Sequence, residues 1–108
     1  MSPSEQFAIR YTAEALEHLR GLQKKYRRAV LDKIVEQLAH EPLTQTRNRK
    51  SVPGSTLFGP ETWELRFGPA NRFRVFYRPD AAERAVLVKG IGVKQGSRLT
   101  IGGQEVTP

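Results

Sequence analysis

The stretch WELRFGPANRFRVFYRPD, residues 63–80, predicts a β-hairpin with two chemically different faces. Apolar residues at Trp63, Leu65 and Phe67 alternate with polar ones, and the alternation resumes after the turn GPAN. Because successive side chains of a strand point to opposite faces, one face of this hairpin is apolar and the other polar. The polar face would carry Glu64, Arg66, Arg72, Arg74 and Arg78. The apolar face must be covered by another part of the chain.

Two amphipathic helices are predicted upstream of the hairpin. Leu16, Leu19 and Leu22 recur at a spacing of three, and a second apolar series runs from Tyr26 to Leu38 at spacings of three and four. Between the two series, near Leu22–Lys25, we expect a break. The pattern therefore favours a helical hairpin.

Shorter elements flank these segments. Residues 7–11 predict a first strand, and residues 43–61, which are polar and interrupted by Gly and Pro, predict a loop. The apolar run at residues 85–93 predicts a strand that is buried on both faces. The sequence LTI at residues 99–101 predicts a last short strand.

This order of elements predicts an α+β fold. An N-terminal strand and a helical hairpin would pack on one face of an antiparallel β-meander, which leaves the arginines on the other face. We expect a single domain over residues 1–108, with residues 1–6 and 102–108 flexible.

Positive charge is concentrated in the half of the chain that contains the hairpin. The net charge is +7, yet residues 12–41 carry six basic and five acidic side chains, a net of +1. Residues 42–108 carry eleven basic and five acidic side chains, a net of +6. An excess of cations on one face favours a polyanionic partner, with nucleic acid as the first candidate.

Several classes of site are disfavoured by composition. The chain has no cysteine and only two histidines, His18 and His40, which we expect at the surface of the helices and far from the arginines. We therefore expect no metal site, no cofactor and a cytoplasmic protein. No apolar stretch approaches the roughly 20 residues of a membrane span, and we expect no membrane partner.

The segments WELRF, NRFRVFY and VLVKGIGVK, in this order after a helical hairpin and a basic loop, resemble the RelE/ParE superfamily. Its members are toxins of bacterial type II toxin–antitoxin modules, and the resemblance covers residues 7–98. RelE-like members cleave mRNA in the ribosomal A site with the 2′-hydroxyl as nucleophile. ParE-like members poison DNA gyrase.

The resemblance implies roles for individual residues. Arg66, Arg74 and Lys94 match basic residues that act on the scissile phosphate in RelE-like ribonucleases. Phosphate-backbone contacts are expected from Arg72, Arg78, Arg49 and Lys50. Two positions depart from the RelE type: Glu64 replaces a lysine, and Thr100 or Ile101 stands where a C-terminal tyrosine acts as base.

Glu64 has two interpretations. It is the acidic residue on the predicted arginine face, which makes it a possible general base. A carboxylate among arginines has a lowered pKa, however, and is then a weak base. The alternative is an ion pair with Arg72 or Arg74 across the strands.

The resemblance implies a toxin that inhibits translation as a ribosome-dependent mRNA endoribonuclease. Its partners would be a small acidic antitoxin, the ribosome and mRNA. The alternatives are a ParE-like poison of DNA gyrase that acts by protein–protein contact, and a member that binds RNA or antitoxin without catalysis.

Overall fold

The computed structural model of the chain describes residues 6–53 and 57–106. Its elements are, in chain order, β1 (Ala8–Tyr11), α1 (Ala13–Gly21), α2 (Lys24–Leu38), β2 (Arg49–Ser51), β3 (Trp63–Phe67), β4 (Phe73–Asp80), β5 (Ala85–Gln95), β6 (Arg98–Ile101) and β7 (Gln104–Val106). The α+β class and the break between two helices are confirmed. Among the described residues, no helix combines the length and apolarity that a membrane crossing requires.

Local capping explains where the first helix begins. The Thr12 hydroxyl accepts a hydrogen bond from the N–H of Ala15 at 3.0 Å, and Glu14 lies in the first turn, where the helix dipole favours a negative charge. The chain leaves helical geometry at Leu22 and Gln23, and α2 starts at the next residue.

The seven strands form one sheet in the order β2-β3-β4-β5-β6-β7, with β1 parallel to β5. The predicted meander of antiparallel neighbours is confirmed from β3 to β6. The parallel pairing of β1 with Ala85–Val88 joins the start of the chain to the centre of the sheet.

Two segments differ from their prediction. The loop expected at residues 43–61 contains a strand, β2, which pairs with β3 in the register Lys50↔Glu64. The C-terminal part of the chain forms β7, although residues 102–108 were expected to be flexible. Residues 1–5 and 107–108 lie outside the described residues, so the flexibility expected for them stays a prediction.

The main core lies between the helices and the inner face of the sheet, as the alternation in the hairpin predicted. Leu65, Val75 and Tyr77 are fully buried against Ile34 and its neighbours on α2. Burial raises the pKa of Tyr77, whose hydroxyl donates to the carbonyl oxygen of Pro42 at 2.9 Å. Tyr77 is thus a structural residue.

A second apolar cluster covers part of the outer face. Phe76 points away from the main core and is 4% exposed, because Phe58 stacks on it with ring centroids 5.1 Å apart. Leu99 and Ile101 of β6 complete the cluster. The Phe58 ring also lies directly over Gly90, where any side chain would collide with it. The outer face is therefore apolar in the middle rather than a continuous row of arginines.

Helix α1 completes the hydrogen bonding along one edge of β5. β1 pairs with Ala85–Val88 and β6 with Gly92–Gln95, which leaves a short interval between them. There the N–H of Ile91 donates to Nδ1 of His18 at 3.2 Å. His18, expected at the surface, is half-buried and belongs to the framework of the fold.

Candidate nucleic-acid interface

Two arginines and one glutamate form a charged cluster on the outer face, at the end of the sheet near the turn between β3 and β4. Arg66 on β3 and Arg74 on β4 are direct cross-strand partners. Glu64 lies between their side chains, with Oε1 2.7 Å from Arg66 Nε and Oε2 3.5 Å from Arg74 Nη1. Of the two pairings considered for Glu64, the one with Arg74 is found.

Arg74 is held in one position and is not freely exposed. Its residue exposure is 7%, and its Nε donates to the carbonyl oxygen of Asn71 at 2.9 Å. Burial lowers the pKa of the Arg74 guanidinium, Glu64 raises it and Arg66 lowers it. The group stays charged at any physiological pH, so Arg74 presents a fixed cation.

An open cleft of about 360 Å³ lies beside Arg74. Its walls are Pro69, Ala70, Arg72, Arg74, Lys94, Gln95 and Gly96. Three of these residues are cationic and none is acidic. Arg74, Arg72 and Lys94, which the sequence placed among the functional residues, thus meet at one opening.

The turn between β3 and β4 shapes this cleft. Gly68 has φ +82°, and a Cβ there would lie 2.7 Å from the Phe73 ring, so glycine is required. Ala70 and Asn71 are also left-handed, with φ 55° and 53°, which aims the Asn71 carbonyl at Arg74. The Arg72 guanidinium lies over the rings of Tyr26 and Phe73, 5.5 and 5.7 Å from their centroids.

Arg49, which was expected to contact the RNA backbone, does not lie on the outer face. The residue is 6% exposed, and its Nη1 donates to the carbonyl oxygen of Gln37 at 2.6 Å. Glu41 lies 3.7 Å from its Nη2. Because β2 is a strand in register with β3, Arg49 points toward α2 while the adjacent Lys50 points outward, opposite Glu64. Lys50 is exposed.

Arg78 is also separate from the cluster. It lies four residues from Arg74, roughly 13 Å along the strand, and the buried Phe76 lies between them. Its Nη1 is 3.4 Å from Glu61, and it lines a different cleft with Trp63. The structure therefore does not bring Arg78 into the group around Arg74.

Several residues that form or support the cleft were not identified from the sequence. Asn71 orients Arg74 through a backbone carbonyl, and Gln95 and Gly96 form part of the cleft wall. Their signal was present as the turn motifs GPAN and QGS. Turn motifs predict a change of chain direction and not which side chains the turn will face.

Comparison with known proteins gives a consistent family assignment. A family model described as the ParE toxin of the parDE type II toxin–antitoxin system matches residues 9–94. A search of curated proteins gave no significant match.

Solved structures share the fold. The chain is 25% identical to a chain of the RelBE2 toxin–antitoxin complex from Mycobacterium tuberculosis, with a TM-score of 0.68, covering 82% of this chain and 92% of that one. It is 21% identical to the isolated RelE toxin of E. coli, with a TM-score of 0.62 and coverage of 84% and 87%. For the archaeal RelE–RelB complex from Pyrococcus horikoshii OT3, the identity is 16%, the TM-score 0.61 and the coverage 84% and 97%.

Proposed function

We propose that this chain, which belongs to the ParE toxin family of type II toxin–antitoxin systems, is a toxin that cleaves mRNA on the ribosome and so inhibits translation. The observation that carries the proposal is the cleft in which Arg72, Arg74 and Lys94 meet without an acidic wall residue. Such a cleft suits a phosphodiester, since guanidinium groups bind phosphate oxygens in a bidentate geometry.

The proposed reaction is an attack of the 2′-oxygen on the neighbouring phosphorus. The 2′-hydroxyl loses its proton, the phosphorane gains negative charge, and the P–O5′ bond breaks while the leaving 5′-oxygen takes up a proton from water. The products are a 2′,3′-cyclic phosphate and a 5′-hydroxyl. Arg74 would stabilise the phosphorane, because its guanidinium is held in a buried, fixed position beside the cleft. Lys94 would neutralise the charge on the leaving oxygen or on an adjacent phosphate oxygen.

Glu64 is better suited to holding the arginines than to taking a proton. Both of its oxygens face guanidinium groups, and its side chain is 9% exposed. Within the described part of the chain, the cleft walls include neither a carboxylate nor a histidine. We therefore infer that this toxin supplies positioning and charge stabilisation, and that the ribosome contributes to orienting or deprotonating the 2′-hydroxyl.

An acidic antitoxin is the proposed neutralising partner. The net charge of +7 and the concentration of cations near the cleft favour association with an acidic chain. The RelBE2 and RelE–RelB structures that share the fold are toxin–antitoxin complexes. A bound antitoxin that covers Arg74 and Lys94 would prevent access of RNA.

The test separates the two activities of the superfamily. After induction of the toxin alone, protein synthesis and plasmid supercoiling are followed in parallel, and purified toxin is incubated with mRNA with and without ribosomes. We expect translation to stop first and mRNA to be cut only with ribosomes, leaving 5′-hydroxyl ends. Altered supercoiling with intact mRNA would contradict the proposal.

Poisoning of DNA gyrase is the second candidate. It is favoured by the match to the ParE toxin family and by the engagement of Glu64 with two arginines, which removes the nearest carboxylate from acid–base chemistry. In that case the basic cleft would contact an acidic surface of gyrase or its DNA.

A further inference from the structure

A second basic cleft lies at the edge of the sheet, where β3 extends past β2 and faces α2. Its volume is about 260 Å³, and its polar walls are Lys33, Gln37, Thr46, Asn48, Arg49 and Arg66. Arg66, which the sequence grouped with Arg74, opens into this cleft and not into the one beside Arg74.

The charge of the second cleft matches an oxyanion. Three of its lining residues, Lys33, Arg49 and Arg66, are cationic, and none of the lining residues is acidic. Lys33 binds Glu36, which does not line the cleft, at 2.7 Å, and Arg66 binds Glu64 through Nε alone. An ammonium has three donors and a guanidinium five, so both residues retain donors for a ligand.

Arg49 provides a buried, fixed charge in the wall of the cleft. Its side chain is 8% exposed and is held by the carbonyl oxygen of Gln37 and by the carboxylate of Glu41, which lies 3.7 Å away and does not line the cleft. Its Nε is buried and has no hydrogen-bond partner among the described residues. A charge embedded in a poorly polarisable wall acts more strongly on an anion than the same charge in water.

Thr46 adds an oriented neutral donor. Its Oγ1 accepts hydrogen bonds from the backbone N–H groups of Asn48 and Arg49, at 3.2 and 3.1 Å. The hydroxyl proton is not used by either bond, so it can be donated to a ligand. Hydroxyl groups beside Lys and Arg are typical phosphate contacts.

The two basic clefts are adjacent. Arg66 and Arg74 are cross-strand partners, and neighbouring strands are about 4.8 Å apart. Glu64 contacts both guanidinium groups and lines neither cleft. A nucleic-acid strand that crosses β4 and β3 would therefore bring one phosphate to each cleft.

We propose that the cleft of Lys33, Thr46, Arg49 and Arg66 is a second phosphate subsite for RNA, adjacent to the subsite of Arg72, Arg74 and Lys94. This inference rests on the proposed RNA-directed function. RNA is preferred over an acidic peptide because the subsite continues a basic surface along which a phosphodiester repeats its charge at regular intervals.

The test uses 2′-O-methyl oligonucleotides, which resist cleavage by their own 2′-oxygen. Binding of a dinucleotide with one phosphate and of a hexanucleotide is measured as a function of salt for the purified toxin and its variants. The variants are Lys33→Ala, Lys94→Ala and Arg28→Ala. Arg28 is a matched control, since it lies on α2 in an exposed pair with Asp32, as Lys33 does with Glu36.

Each lost phosphate contact should reduce the slope of log affinity against log salt by about 0.7. We expect this reduction for Lys33→Ala with the hexanucleotide and not with the dinucleotide. Lys94→Ala should weaken the binding of both oligonucleotides, and Arg28→Ala should change the binding of neither. NMR shifts of the Thr46 and Lys33 amides should respond to the hexanucleotide alone.

Other outcomes would overturn the inference. If Lys33→Ala behaves like Arg28→Ala while Lys94→Ala lowers the slope, the second subsite is wrong and the proposed function stands. If Lys33→Ala weakens only a polyglutamate peptide, the cleft binds protein. If Lys94→Ala also leaves RNA binding unchanged, the proposed function fails as well.

Discussion

Arg66 and Arg74 face each other across β3 and β4, and the carboxylate of Glu64 lies within 3.5 Å of both guanidinium groups. Like charges opposite each other destabilise a sheet. Glu64 offsets this repulsion and keeps both side chains in place. The interface is thus a set of coupled charges and not a row of independent arginines.

Lys94→Ala is expected to abolish toxicity without loss of stability. Lys94 lies half-buried at the rim of the cleft. Substitutions at such positions usually change stability by under about 0.5 kcal/mol. Loss of a transition-state cation should slow cleavage roughly a hundredfold. Growth arrest, mRNA cleavage and melting temperature are measured with Arg28→Ala as control, and full toxicity of Lys94→Ala would refute its role.

Arg74→Ala should lose both activity and stability. The alternation in the sequence placed Arg74 on the polar outer face, where removal of an exposed side chain usually changes stability little. In the structure, Arg74 is buried, binds Asn71 and neutralises Glu64. Its loss should cost about 1–3 kcal/mol, and Arg74→Lys should recover part of both properties. The loss of stability is measured by urea unfolding. An unfolding midpoint of Arg74→Ala equal to that of the unsubstituted protein would contradict the prediction.

Glu64→Gln tests whether Glu64 is a base or a structural anion. Glutamine keeps the shape but leaves Arg66 and Arg74 uncompensated, so stability should fall by about 1–3 kcal/mol, more at low salt than at high salt. Cleavage per folded molecule should fall less than tenfold. If the variant is fully stable and a thousandfold slower, Glu64 is the general base.

Arg49 and Lys50 are neighbours in sequence but should respond differently to substitution. Arg49→Ala removes the bond to Gln37 and an internal charge, and should destabilise the fold by about 1–3 kcal/mol. Lys50→Ala should leave the melting temperature unchanged and weaken RNA binding, because Lys50 is exposed on the outer face. Equal melting temperatures for the two variants would show that Arg49 is not a structural residue.

His18 should make the fold sensitive to acid. Its Nδ1 accepts the N–H of Ile91, which a protonated ring cannot do, and burial lowers the pKa of His18, partly opposed by Glu14 and Glu17. As the pH falls, His18 is therefore protonated at a higher pH in the unfolded chain than in the folded protein. Stability should be complete above pH 6.5, the ordinary pKa of histidine, and should decline as pH falls below it.

The measurement for His18 is urea unfolding between pH 7.5 and 5, a range in which ordinary carboxylates stay charged. His18→Gln should flatten the pH dependence, since the glutamine oxygen accepts at all of these pH values. His40→Gln, a change at an exposed position, should leave the decline intact. An equal decline in all three proteins would exclude His18 as the cause.

The sequence by itself determined the fold class, the two helices and the faces of the central hairpin. Side-chain alternation is local, so Leu65, Val75 and Tyr77 could be assigned to the core without knowledge of distant contacts. The same alternation placed Arg74 on the outer face of β4, but it did not indicate that the side chain would be buried there.

Tertiary structure alone decided which cations meet. Arg49 turned inward because β2 pairs with β3, and Arg78 was separated because Phe58 folds over Phe76. Arg66 and Arg74 line different clefts, because residues of α2 form part of one wall and the turn between β3 and β4 forms part of the other. Each of these outcomes depends on pairing or packing between segments far apart in sequence, and the free energy of such contacts leaves no periodic signal along the chain.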